Sequence, residues 1–518
     1  MYAKAHARLA GDRPALIMGN GERCTYAEFE QKSNRLAHVF RDCGLQWGDH
    51  VSLILENSVL AVVAQGAAER TGLYYTPVNH HLTPSEAAWV INDSQARLVV
   101  LSSQFAPMGL ELQDRCPRVE HWLMPDPPLD LGGFISLRDR MDSAPDGPVP
   151  DERLGIAMLY SSGTTGRPKG ILRPMPDVAP DEPLTVWQTV NKAWKMRAGM
   201  VFLQPGPLYH SGPQTTTAAA LRAGGTVVLM ERFDPREFLA LVDAHQVTHT
   251  MTVPTMLQRV LRLPAEDLAL YDVSSLEMVA HGAAPCPPSV KRRLIEWLGP
   301  VVYESYGSTE AAGGTICDSH EWLQRPGTVG RAMLGNVSIL SEEGQPCGPG
   351  EVGEIFFATD STFEYFGDPE KTAEAWRRSG QLYRTGDVGW LDEDGYLFLA
   401  DRKDFTINSG GVNIYPREVE DALQTHPDVQ DVAVIGVPND DFGEEVKAIV
   451  QLVDPARDAD KVAAALDVHC AGTLARYKRA RSYEFVDALP YTPSGKIDKM
   501  TLRELFSSGS TVAAIYRT

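Results

Sequence analysis

No apolar run in the 518-residue chain approaches the roughly 20 residues needed to cross a bilayer. The N-terminal stretch MYAKAHARLAGDRPALIMGN also lacks the continuous apolar centre of a secretory signal. The seven cysteines, Cys24, Cys43, Cys116, Cys286, Cys317, Cys347 and Cys470, are scattered, odd in number and free of any CxxC pair. Neither a zinc site nor a disulfide framework is expected from them, and reduced thiols in the cytoplasm are the simplest reading. Positive charge is scarce: 48 Lys and Arg stand against 68 Asp and Glu, a net charge of −20. That balance disfavours nucleic acid as a partner, because such binding rests on neutralising phosphates. Internal repeats and low-complexity tracts are missing too, which excludes a solenoid or a disordered linker protein.

What is present is ordinary globular composition, 43% hydrophobic and 22% charged, on a chain long enough for about three packed units. Thr25 and Glu28 have capping-box spacing and precede Phe29, Leu36 and Phe40 at helical intervals, so a helix is expected there. The strand VSLIL follows, and helical and apolar strand segments alternate onward through RLVVLS, GTVVLM and LVDAHQVTHTMTVP. This pattern predicts an α/β class, with a large multi-lobed N-terminal domain of layered sheets and helices over residues 1–403. From about Arg402 the texture changes to a Gly410-Gly411 pair, a helix opened by Pro416, strands VAVIGVP, KAIVQLV and YEFVDAL, and a polar helix. A small α+β domain over residues 404–518 is expected.

The most informative segment is YSSGTTGRPKG, Tyr160 to Gly170, directly after the apolar LGIAML. Gly163 and Gly166 let the backbone turn several N–H groups toward one anion, Ser161, Ser162, Thr164 and Thr165 add hydroxyl donors, and Lys169 adds charge. The lysine does not directly follow the second glycine, so the spacing is not that of a Walker loop. In YGSTE the Thr309 hydroxyl can bond a phosphate and Glu310 is a hard oxygen ligand suited to magnesium, although Thr-Glu also suits a helix start. Asp387 after a Thr-Gly turn can accept two ribose hydroxyls or simply close the turn. Lys496, alone, reads as an exposed lysine, His210 as a buried one, and the cluster Arg476, Lys478, Arg479 and Arg481 as a solvated face.

Taken in order, these segments resemble the motifs of the adenylate-forming superfamily, which contains acyl-CoA synthetases, non-ribosomal adenylation domains and luciferases. YSSGTTGRPKG resembles its nucleotide-phosphate loop, HGAAP (His281 to Pro285) the segment beside adenine, and YESYGSTE (Tyr303 to Glu310) the one that touches AMP and holds magnesium. TGD (Thr385 to Asp387) resembles the ribose turn, DRKDFTINSGGVNIYP (Asp401 to Pro416) the hinge and thiol-side loop, and TPSGKID (Thr492 to Asp498) the loop of the catalytic lysine. The resemblance extends over nearly the whole chain. It implies a ligase that takes ATP, Mg2+ and coenzyme A, forms an acyl-adenylate and pyrophosphate from a carboxylic acid, and then forms acyl-CoA and AMP.

By residue, the resemblance implies catalytic roles for Lys496, Glu310, Thr309 and His210, and metal ligation by Glu310 and Thr164. It implies nucleotide or CoA contacts at Ser161 to Gly166, Lys169, Gly282, Ala283, Ala284, Glu304, Ser305, Tyr306, Gly307, Ser308, Asp387, Arg402, Gly410, Gly411 and Lys478. The acid pocket falls on His210, Val253, His281, Gly282, Tyr306, Gly313 and Gly314, and the hinge on Asp404, where Phe405 replaces the acidic residue common just after it. HGAAP with Cys286 is similar to bacterial synthetases of fatty, steroid side-chain or bile-type acids, and the small residues at 282–284 and 311–314 suggest a roomy apolar tunnel, so a bulky apolar acid of one of these types or an aromatic one is expected. PLYHSGP, at Pro207 to Pro213, favours CoA as thiol. Alternatives are a ligase that passes the acyl group to an amine or carrier protein, a luciferase-type oxygenase and a non-catalytic nucleotide sensor. A homodimer is compatible with all of them.

Overall fold

The helix expected after Thr25 runs over Tyr26–Asp42, and its first turn closes reciprocally. Glu28 N donates to the Thr25 hydroxyl at 3.2 Å and Thr25 N donates to the Glu28 carboxylate at 2.7 Å. Phe29, Leu36 and Phe40 are buried, as their spacing predicts. The computed structural model describes residues 3–127, 132–161, 168–182, 184–377, 381–439, 441–492 and 496–507. None of its described helices is long and apolar enough to cross a membrane.

The apolar runs become parallel strands. His50–Ile54 lies between Tyr74–Pro77 and Leu98–Leu101, and the sheet continues to His121–Met124 and Phe134–Ser136 on one side and Ile156–Ala157 on the other. Parallel neighbours require crossovers, which helices Val59–Arg70, Pro84–Asp93 and Ala106–Arg115 supply. Helix-covered strands are buried on both faces, which is why VSLIL and RLVVLS read as unbroken apolar text.

A second sheet has fourteen strands. Pro14–Met18, Thr226–Leu229, Val201–Gln204, His249–Thr252, Met278–Gly282 and Val302–Gly307 are parallel. Beyond Gly307 the chain doubles back, and Gly314–Cys317, Thr328–Leu334, Leu397–Arg402, Leu382–Leu391, Gly353–Ala358 and Asn336–Leu340 continue antiparallel. The change from parallel to antiparallel pairing opens a crevice at the carboxyl ends of Met278–Gly282 and Val302–Gly307.

After Arg402, the last residue of the large sheet, the chain forms a smaller α+β unit. Its hairpin Ile407–Ser409 and Val412–Ile414 and its strands Val429–Asn439, Gly443–Leu452 and Ser482–Val486 carry helices Pro416–Gln424, Ala459–Ala471 and Lys499–Ser507. Ile407, Val419, Leu423, Val434, Val450 and Leu466 form a core separate from that of the large part. The predicted α/β class, with a large layered part and a small α+β part, is the one observed.

Candidate active site

Strand Val302–Gly307 carries Tyr306 into the crevice, where its hydroxyl donates to Asp387 Oδ2 at 2.6 Å. Arg402 Nε reaches the other oxygen of Asp387 at 3.1 Å, because Asp387 and Arg402 face one another across adjacent strands. The turn is set by Asp387 N donating to the Thr385 hydroxyl at 3.1 Å and by that hydroxyl donating to Ile355 O at 3.0 Å. Burial raises the Asp387 carboxyl above its ordinary value, while Arg402 and the Tyr306 hydroxyl oppose that rise.

Lys496 comes from the small unit to the same place. Solvent reaches it, yet the walls of the crevice crowd its ammonium; that crowding and then the charge of Arg402 lower its pKa, while Asp387 and Glu310 act in the opposite direction. The approach is held by Asp401, at the end of the large sheet. Its Oδ2 accepts from Arg417 N at 2.9 Å, in the first turn of helix Pro416–Gln424, and lies 3.9 Å from Lys499, which itself pairs with Glu420 at 2.7 Å.

Glu310 and Thr309 lie in the turn after Val302–Gly307, not in a helix. Glu310 is buried, and its Oε1 accepts from the Tyr365 hydroxyl at 2.8 Å. Its other oxygen makes no hydrogen bond with a described residue. One partly satisfied carboxylate fits magnesium, which takes one or two carboxylates and completes its shell with phosphate and water. Lys169 stands 5.1 Å from the centre of the Tyr365 ring, and the Ser308 and Tyr383 hydroxyls are 3.0 Å apart. Ala283 and Ala311 both have positive φ, 65° and 51°, a conformation uncommon for residues with a side chain. His210 and Val253 precede helices Ser211–Ala223 and Pro254–Leu261, and the His210 ring lies 4.6 Å from that of Tyr209.

Several expectations need correction. Glu304, two residues before Tyr306 on the same strand, is held in a buried pair with Lys291 at 2.7 Å, so its carboxylate is not free to contact the nucleotide. His281 is fully buried beside this pair, neither ring nitrogen is bonded to a described residue, and burial pushes its pKa down to about 4. At three of the small positions, close neighbours leave no room for a side chain. A methyl group at Gly282 would lie 2.4 Å from Ser305 O, at Gly313 2.0 Å from the Phe357 ring, and at Gly314 3.1 Å from Tyr306 O. Lys478 is neutralised by both oxygens of Glu418 at 2.7 Å.

Gly410 and Gly411, at φ 62° and 80°, form a two-residue hairpin turn in the small unit, where Gly410 N donates to Phe442 O at 2.8 Å. The structure brings Lys496, and not this turn, to Asp387 and Arg402. Asp404 lies exposed in a short turn between the two parts, its carbonyl accepting from Arg503 at 2.8 Å. Ser161 ends strand Leu159–Ser161, whereas Ser162, Gly163, Thr164, Thr165 and Gly166 lie outside the described residues. Sequence alone does not point to Tyr365 and Tyr383, since neither sits in a recognisable motif. Their only signal is position: Tyr365 lies on the strand paired with the one bearing Lys169, and Tyr383 on the strand that bears Asp387.

Comparison with known proteins agrees with this geometry. The profile described as "AMP-binding enzyme" matches residues 3–366, and that described as "AMP-binding enzyme C-terminal domain" matches residues 418–496. Long-chain-fatty-acid–CoA ligase FadD13 of Mycobacterium tuberculosis is 32% identical over 499 residues, 94% of each chain. Feruloyl-CoA synthase of Amycolatopsis sp. is 34% identical over 96% of this chain and 97% of its own. The crystal structure of ATP-bound MatB from Rhodopseudomonas palustris superposes with a TM-score of 0.83 at 30% identity, covering 98% of this chain and 99% of that one.

Proposed function

The chain belongs to the AMP-binding enzymes, in the acyl-CoA synthetase branch of the adenylate-forming superfamily, and from that premise we propose how its residues divide the work. A carboxylate does not condense with a thiol in water, because the leaving group would be oxide. ATP supplies a better one: the carboxylate attacks the α-phosphorus, pyrophosphate leaves, and the thiol of CoA then displaces AMP from the mixed anhydride. The protein's contribution to the first step is positioning and charge stabilisation.

The observation that carries this assignment is the convergence of Lys496, Asp387, Arg402 and Glu310 from two separately folded parts of the chain. Asp387, fixed by Tyr306 and Arg402, holds the ribose hydroxyls. Lys496 bridges the acid's carboxylate and the α-phosphate, and His210 borders the acid's carboxylate. Thr309 donates to the α-phosphate, and Glu310 together with Thr164 holds magnesium, which when bound neutralises phosphate charge. The large part, to residue 403, binds ATP and acid, and the small part turns about Asp404 to exchange Lys496 for Gly410 and Gly411 once the adenylate has formed. An enzyme of this kind works in the cytoplasm, where ATP and CoA are at hand.

The test is AMP and pyrophosphate release from ATP over a panel of aliphatic, aromatic and polycyclic acids, each with and without CoA, with mass detection of products. Acyl-CoA formed together with AMP supports the assignment. Pyrophosphate release that does not respond to CoA, with no thioester formed, removes CoA as the acceptor. A pH profile gives a second check. The bridging role needs the charged lysine, and a lowered pKa means that charge is lost as pH rises through a value below the ordinary 10.5. Adenylation, followed in single turnovers, is therefore expected to show an alkaline fall below pH 10.5 that is absent from the residual rate of Lys496→Ala.

A further inference from the structure

Next to the Tyr209-His210 segment the fold buries a chain of polar side chains that the reaction above does not use. Gln65 and Glu69 stand one turn apart on helix Val59–Arg70, Gln214 and Arg222 lie on helix Ser211–Ala223, and Tyr75 comes from strand Tyr74–Pro77. All five are at least nine-tenths buried. The Tyr75 hydroxyl donates to Glu69 Oε1 at 3.3 Å, and Gln65 Nε2 donates to the same oxygen at 3.0 Å. Arg222 donates to Glu69 Oε2 at 2.8 Å, and Gln214 Nε2 donates to the Tyr75 hydroxyl.

Glu69 fixes the direction of every one of these bonds. Paired with Arg222, its carboxylate only accepts, so Tyr75 must give it the single hydroxyl proton and Gln65 must turn its amide nitrogen toward it. Tyr75 can then only accept from Gln214, which therefore also presents nitrogen. Both amides thus have their nitrogens engaged and their oxygens facing elsewhere. Among the described residues Gln65 Oε1 has no partner, and Gln214 Oε1 has only the Thr215 hydroxyl at a long 3.4 Å.

Gln65, Tyr75 and Gln214 share a cavity of about 20 Å³ that reaches Leu208 and Tyr209 and has apolar walls of Leu53, Leu55, Ala61 and Pro77. That is room for one group the size of a water. Gln214 N donates to His210 O at 3.0 Å, so the cavity lies one helical turn from the residue assigned to the acid's carboxylate. Two under-used acceptors in an apolar space cost free energy until a donor reaches them.

We infer that the acid this enzyme activates carries a hydroxyl group remote from its carboxyl, and that Gln65 and Gln214 select it by accepting its hydrogen bond, an inference that rests on the acyl-CoA synthetase activity proposed above. A hydroxyl supplies one proton, which either oxygen can accept. A ketone brings only more lone pairs, and a plain hydrocarbon end gives neither acceptor a proton. Sites that pair with a substrate hydroxyl discriminate far more strongly against the analogue without it than apolar pockets do over one methylene.

The experiment measures kcat/KM for CoA-dependent AMP formation on sets of acids that differ only at one remote carbon, as hydroxyl, ketone or hydrogen, in aliphatic and phenyl-bearing series. The hydroxy acid is expected to be preferred about tenfold or more over both counterparts in the series that fits. Gln65→Met and Gln214→Met are expected to bring that ratio to within about threefold of unity, since each removes one acceptor at similar volume. The ratio is taken within each purified variant, so a reduced folded fraction cancels, and if neither variant folds the comparison of hydroxyl with ketone in the unaltered enzyme decides. Turnover of acids with no hydroxyl preference, or a preference untouched by both substitutions, overturns the inference and leaves the synthetase activity standing. An absence of CoA-dependent AMP with every acid overturns that activity, and the inference with it.

Discussion

Lys496→Ala is expected to slow acyl-adenylate formation by about a hundredfold or more, some 2.7 kcal/mol of transition-state stabilisation, while sparing thioester formation from acyl-adenylate supplied ready-made. The expectation follows from where the side chain sits. It shares the crevice with Arg402, Asp387 and Glu310, in surroundings crowded enough to lower its pKa. A flexible ammonium there can follow negative charge as it moves from the carboxylate to the α-phosphate, and no other described lysine of the small unit does so. Lys499 is held by Glu420 at 2.7 Å, and Lys478 by Glu418 at 2.7 Å. In the proposed rotation about Asp404 the second step takes place with Lys496 withdrawn, and so is not expected to depend on this charge. The measurement is single-turnover pyrophosphate release for the first step and acyl-CoA formation from synthetic adenylate for the second. Equal loss in both would show that the substitution damages the fold or the domain movement, and would remove the bridging role.

Features set by near neighbours along the chain are legible in the sequence alone. The capping box of Thr25 and Glu28, the helix opened by Pro416 and the glycine turn at 410–411 each follow from a few adjacent residues. The motif series locates Asp387, Arg402, Glu310 and Lys496, because each lies in a turn or strand end whose local text is distinctive. Side chains that the sequence misplaces are those whose direction depends on a partner from another element. Glu304 and His281 stand inside motifs, yet Glu304 is held by Lys291, thirteen residues earlier on helix Pro288–Leu298, and His281 is buried beside the pair. Gly313 suggests space, but Phe357 occupies it. Glu69 gives no signal at all, since Arg222, its partner, is 153 residues away.

Lys291→Ala is expected to destabilise the large part by about 3–5 kcal/mol, more than a hundredfold in its folding equilibrium. Lys291 and Glu304 are both buried and joined at 2.7 Å; the ammonium also lies 3.8 Å from Cys317 Sγ and 5.1 Å from the Trp322 ring. Neither His281 nor Cys317, the titratable groups described beside it, replaces the lost charge. His281, the adjacent titratable group, is held neutral at pH 7 by burial, and the Cys317 thiol is raised to about 12. Removing the lysine therefore strands a carboxylate in an apolar layer formed by Val279, Leu294, Val302 and Trp322, where it must ionise without a partner or take up a proton. The same physics predicts a different result for the pair. Lys291→Met with Glu304→Leu removes both charges at similar volume and is expected to recover most of the loss, because desolvating two ions offsets much of their attraction. Urea denaturation followed by tryptophan fluorescence reads both variants, with Trp322 as an internal reporter. A double variant as unstable as Lys291→Ala would mean that the pair contributes specific packing and not compensated charge. A single variant within about 1 kcal/mol of the unaltered protein would mean that water enters to solvate Glu304, a response this closed layer should not permit.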